Sequence, residues 1–119
     1  MTRVLLLLAF TGCADEPHRR QRHEPPATTE PIVWSDVAPL VAERCGGCHG
    51  PGGIGSLPLS TWREVHAARD AVLYQVEDRR MPPFPAVVAD YPLQWDPSLT
   101  EAEIGLLSAW IDWDAPLGG

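Results

Sequence analysis

Cys45 and Cys48 stand three residues apart in the stretch RCGGCHGPGG, and His49 directly follows the second thiol. On a helical turn, positions i and i+3 share one edge, so both sulfurs and the neighbouring imidazole are expected to face the same way. The order C-x-x-C-H is the signature of c-type haem attachment. In that chemistry the thiols add to the two haem vinyl groups as thioethers, and the imidazole lies under the iron as its proximal ligand. Gly46 and Gly47 carry no side chain that would hold a porphyrin off the backbone. Three other chemistries use the same residue types. A zinc site needs four ligands, and no second Cys or His pair stands nearby in the sequence. A thioredoxin-like redox pair belongs in a βαβ setting, and no such setting is visible. A structural disulfide between Cys45 and Cys48 is the plain reading for an exported chain. Export, the contiguous histidine and a small core in need of a staple favour the haem.

A second axial ligand would have to come from elsewhere in the chain. Apart from the initiator, Met81 is the only methionine, in RRMPPFP. Pro82 keeps Met81 out of helical geometry, and Pro82-Pro83 stiffen the loop that would hold its thioether over the distal haem face. A methionine filling a gap in the core is the alternative. His66 competes as a ligand, but it lies mid-helix, close after His49 in sequence, and reads better as a surface or satisfied histidine. The expected iron ligands are therefore His49 and Met81. Arg79 and Arg80 are placed to pair with haem propionates or simply to complement a helix end. Trp95 in YPLQWDP is expected at the haem edge or in the core.

Three helices must position these groups. PIVWSDVAPLVAERC reads as the first, with Ser35 as candidate N-cap, Asp36 in the first turn and Val37, Leu40 and Val41 on one face. It leads straight into Cys45. TWREVHAARDAVLYQVEDRR is the second. Thr61 and Glu64 make its capping box, Trp62, Val65, Val72 and Val76 its apolar stripe, and the prolines after Met81 end it. LTEAEIGLLSAWIDW is the third, where Thr100 and Glu103 repeat the box ahead of Ile104, Leu107, Trp110 and Ile111. No segment alternates convincingly with period two, so the predicted class is all-α, with about three helices and long loops around a covalently attached haem.

The chain of 119 residues allows one domain of ordinary size. Its 13 prolines and 10 glycines imply short elements joined by much irregular chain. Residues 1–12 read as a processing signal, because Met1-Thr2-Arg3 is a short positive start and Val4 to Phe10 an apolar run far below the ~20 residues of a spanning helix. The stretch LLAFTGC resembles the bacterial lipoprotein signal, which implies that Cys13 is lipidated and anchors the protein to a membrane. Residues 13–30 hold almost no large apolar side chain and read as a flexible Pro-rich tether of roughly 20–25 Å. Residues 31–119 form the domain, with 12 Asp+Glu against 5 Arg and no lysine anywhere in the chain. That balance argues against nucleic acid, whose binding needs basic patches. It suits redox partner proteins with a basic docking face.

Taken in order, CGGCH at 45–49, MPP at 81–83 and WIDWDAP at 110–116 resemble the single-haem class I cytochrome c domains of exported bacterial proteins. The longer stretch CHGPGGIGSLPLSTW is similar to cytochrome domains found beside copper monooxygenase-type or other redox modules. Phe84 stands where the family commonly has tryptophan, and Asp114 where it commonly has glycine. The resemblance implies one covalent haem c on Cys45 and Cys48, axial ligands His49 and Met81, and electron transfer rather than catalysis. The expected location is the periplasmic or cell-surface side of a bacterial membrane. Two other classes are a haem sensor or electron-entry subunit of a separate redox enzyme, and a haem-free disulfide-bonded lipoprotein that serves as an interaction module.

Overall fold

In a computed structural model, which describes residues 23, 26–83 and 97–119, the chain forms four helices and no strand among those residues. Cys13, Phe84 and Trp95 lie outside the described residues. The first helix, α1, is Trp34–Arg44, and its N-cap is Val33 rather than Ser35. Valine has no side-chain acceptor, so the end is closed from the other side: Asp36 reaches back and accepts the Val33 N–H at 2.8 Å. Pro39 sits inside α1, where its missing N–H leaves the Ser35 carbonyl without its helical donor. Val37, Leu40 and Val41 are buried as the spacing predicts.

A separate turn of helix, α2, covers Gly46–His49, so the described residues hold one short helix beyond the three expected. The next helix, α3, is Trp62–Glu77, and α4 is Glu101–Asp112. Both start with the capping boxes read from the sequence. Thr61 accepts from the Glu64 N–H at 3.3 Å and Glu64 accepts from the Thr61 N–H at 2.9 Å. Thr100 and Glu103 repeat the exchange at 3.2 and 2.7 Å. Each box satisfies two N–H groups that a helix start leaves without partners.

α3 stops several residues before the prolines that were expected to end it. Arg79 takes a positive φ of 57°. The Arg80 N–H then bonds Gln75 O at 2.9 Å and the Arg79 N–H bonds Val76 O at 3.2 Å. This is the Schellman closure, built here on arginine instead of the usual glycine. The Arg79 side chain also donates to Leu99 O at 2.6 Å and pairs with Glu101, which fastens the end of α3 to the start of α4.

α4 packs on both α3 and α1, and α2 lies against α1. Ile104, Leu107, Trp110 and Ile111 are all buried, together with Val65, Val72, Leu73 and Val76 of α3 and the stripe of α1. Trp110 is fully enclosed, stacks at 5.6 Å on Trp34 and donates its indole N–H to Pro116 O at 3.0 Å. That bond removes the cost of burying a polar N–H. Trp62 closes the same tail through its indole N–H to Ala115 O at 2.9 Å. The tail turns at Asp114 and Ala115, with φ of 64° and 49°. Glycine adopts that left-handed region freely and aspartate is among the side chains that tolerate it best. This backbone angle is a physical reason for the glycine that the resemblance leads one to expect at position 114.

Candidate functional site

Cys45 is the hinge between α1 and α2. Its N–H still bonds Val41 O at 2.9 Å as the end of α1, and its carbonyl accepts from the His49 N–H at 2.9 Å as the start of α2. The C-x-x-C-H segment is thus wound as helix directly on the end of α1. Arg44, one residue before, pairs with Glu103 at 3.1 Å and so ties this point to the first turn of α4. Burial pushes the Glu103 carboxyl up, but the Thr100 backbone N–H and Arg44 outweigh it and leave it below the ordinary value.

His49 is oriented by the loop that follows. Its Nδ1 lies 2.6 Å from Leu57 O, the geometry of an N–H donated to a carbonyl. That bond assigns the proton to Nδ1 and leaves Nε2 with its lone pair free, the arrangement metal-bound histidines use. The loop also closes on the ring: a Cβ at Gly55 would stand 2.6 Å from Nδ1 and 2.8 Å from Cε1. Only glycine permits that approach. The Gly55 N–H bonds Cys48 O at 2.7 Å and the Leu59 N–H bonds His49 O at 3.0 Å, so the loop is clipped to α2 on both sides of the imidazole.

These residues border a cavity of about 630 Å³, within the size range of cofactor and ligand sites. Cys45, Cys48, His49 and Met81 all line it. Its remaining walls are mostly apolar, with Ile54, Leu57 and Leu59 from the loop, Val72 and Val76 from α3, and Pro82 after Met81. Met81 is 40% exposed and Ile54 94% exposed, so the cavity opens broadly to the surface on that side. His66 does not line it; its ring meets Trp62 in a tilted contact with centroids 4.8 Å apart. Gly47 lines it too, and a Cβ there would meet no protein atom, so its bare backbone serves the cavity rather than the packing of the chain.

The chemistry of the donors discriminates among the readings of the motif. Cys45 and Cys48 are free thiols. Burial pushes the Cys45 thiol up to about 11, which disfavours a thiolate at that sulfur. Among the described residues no group of three or more His, Cys, Asp and Glu side chains converges on one point. A haem needs only one protein ligand on each face of its iron, and the residues present fit that demand: a histidine with Nε2 free, a thioether lining the same cavity, two neighbouring thiols and mostly apolar walls. Arg79 is engaged by Glu101 and Leu99, and Arg80 pairs with Asp78 at 2.6 Å, so neither of the expected propionate partners is without a carboxylate of its own.

Sequence reasoning missed Leu57 and Gly55. A backbone acceptor carries no residue-type signature, and the glycines of CHGPGGIG look alike until the loop is folded. Comparison of the chain with protein-family models, with curated proteins and with solved structures finds no match. The reading of the site therefore stands on its own residues.

Proposed function

We propose that this protein is an electron carrier of the class I cytochrome c type, with one haem c attached through Cys45 and Cys48 and His49 and Met81 as iron ligands. The observation that carries the reading is the meeting of all four residues in one mostly apolar cavity, although Met81 comes from the turn beyond α3. When bound, the haem supplies one-electron redox chemistry. The chain does the rest. The Leu57 carbonyl holds the His49 ring in one tautomer and makes Nε2 a stronger donor. Met81 would be the second residue to hold the iron, and its soft thioether would favour the reduced state. The walls of α3 and of the loop give the site a mostly apolar lining. The acidic surface, at a formal net charge of −7 for the chain, steers the carrier toward basic partners. Lipidation at Cys13 would hold the domain on the exported side of a bacterial membrane.

A sensor or an electron-entry subunit is a second reading, favoured by the 40% exposure of Met81. Substitution separates the two. Met81→Ala should keep the haem, lower the reduction potential and allow the ferrous protein to bind carbon monoxide, while wild type does not. His66→Ala should leave the potential and the sulfur-to-ferric-iron absorption band unchanged. Carbon monoxide binding by wild type at neutral pH would favour the sensor, and loss of low-spin six-coordination in His66→Ala alone would replace Met81 by His66.

A further inference from the structure

The wall that α3 gives to the cavity is apolar except at one place. Ala71, Val72, Gln75 and Val76 line it from one face of the helix, and only Gln75 carries a hydrogen-bonding side chain. Val72 and Val76 are buried and Gln75 is half-buried. Its carboxamide bonds no group among the described residues. Its backbone, by contrast, is tied to the proposed ligand: Gln75 O accepts from the Met81 N–H at 3.1 Å as well as from Arg80. A carboxamide has two N–H donors and one acceptor oxygen, and Gln75 is the residue of the α3 wall that can bring such donors to the cavity. The other polar lining groups are placed differently, with Ser56 on the loop beside His49, Glu43 exposed on α1 and Arg44 bonded to Glu103.

We propose that Gln75 is a positioning residue for Met81, its carboxamide N–H donating to the thioether sulfur when that sulfur ligates iron. The inference rests on the reading of the cavity as a haem site. Sulfur is a weak acceptor, but a donor on it draws electron density away from the iron and favours the reduced state. Hydrogen bonding around the ligands is one of the levers by which a protein sets a haem potential. One hydrogen-bonded backbone turn and one side chain of the same residue would then fix both the position and the electronics of Met81.

The test uses the full-length protein carrying Gln75→Leu and, separately, Gln75→Ala, which differ in volume but share the loss of the donor. For each, the mass after denaturation, the reduction potential, the sulfur-to-ferric-iron band and the thermal midpoint are measured. Both variants are expected to keep the haem mass, to show a lower potential than wild type and to shift the band. A residue that serves packing alone would change the thermal midpoint and leave potential and band in place. Haem-bearing variants with wild-type potential and band overturn the inference alone. A wild-type chain without haem mass overturns the reading of the cavity and the inference with it.

Discussion

A methyl group at Gly55 would stand 2.6 Å from His49 Nδ1, and neither partner has room to retreat, since the ring is bonded to Leu57 and the loop to Cys48. Gly55→Ala is therefore expected to cost about 1–3 kcal/mol, the range for forcing an extra carbon into a packed site, and to reduce the haem bound per protein. Gly46→Ala is the comparison, because a Cβ there would be in ordinary contact at 3.9 Å from Val41 O. Haem absorbance per chain and the denaturant midpoint check both. Equal haem loading in the two variants would mean that the loop does not set the imidazole. At this scale the sequence was most informative where the chemistry is local: Cys45, Cys48 and His49 are adjacent, and Met81 is marked by its scarcity and its prolines. Gln75 and Leu57 were not legible. One reads as an ordinary polar position on a helix, and the other acts through a carbonyl that every residue possesses.

Among the elements, the two capping boxes were readable because a box is a sequence pattern three residues long, and both α3 and α4 begin where it predicts. The ends were less so. α1 starts at a valine because Asp36 supplies the cap from within the helix, and α3 ends at an arginine in left-handed geometry because tertiary bonds to Leu99 and Glu101 hold it there. α2 reads only as a turn that sets Cys45 and Cys48 on one edge and not as a helix in its own right, because four residues containing two glycines carry no helical periodicity. The tail offers the clearest check of backbone geometry. With φ of 64° at Asp114, Asp114→Val is expected to destabilise by about 1–2 kcal/mol, the cost of a left-handed residue with a Cβ, and more than Asp114→Gly. The Asp114 carboxylate reaches Arg69 at 3.3 Å but is largely exposed, so glycine gives up little there. Chemical denaturation of the full-length variants reads the difference; an equally stable valine variant would contradict the strained turn.

Across the whole molecule, the acidic surface and the helix caps couple to pH. Glu64 is held below the ordinary carboxyl value of 4.5, chiefly by the Ser60 backbone N–H, and Glu103 is also held below it. Because their folded values lie below the unfolded ones, their contribution is complete above pH 4.5 and is lost as pH falls through the depressed values. The denaturant midpoint should thus decline below that pH, and the double variant Glu64→Gln, Glu103→Gln should decline less steeply, since glutamine keeps a capping-box partner but does not titrate. Identical slopes would show that other groups govern acid unfolding. The all-α class was legible from periodicity and the lack of alternation, whereas the cavity was not, because it exists only once α3, the loop and the Met81 turn are brought around α2. Its occupant is the central claim, and the most direct measurement is the mass of the purified full-length protein after full denaturation. A chain heavier by one haem, with the added mass on the peptide containing Cys45 and Cys48, is the expected result; an unmodified peptide, with the two cysteines free or joined to each other, would contradict it.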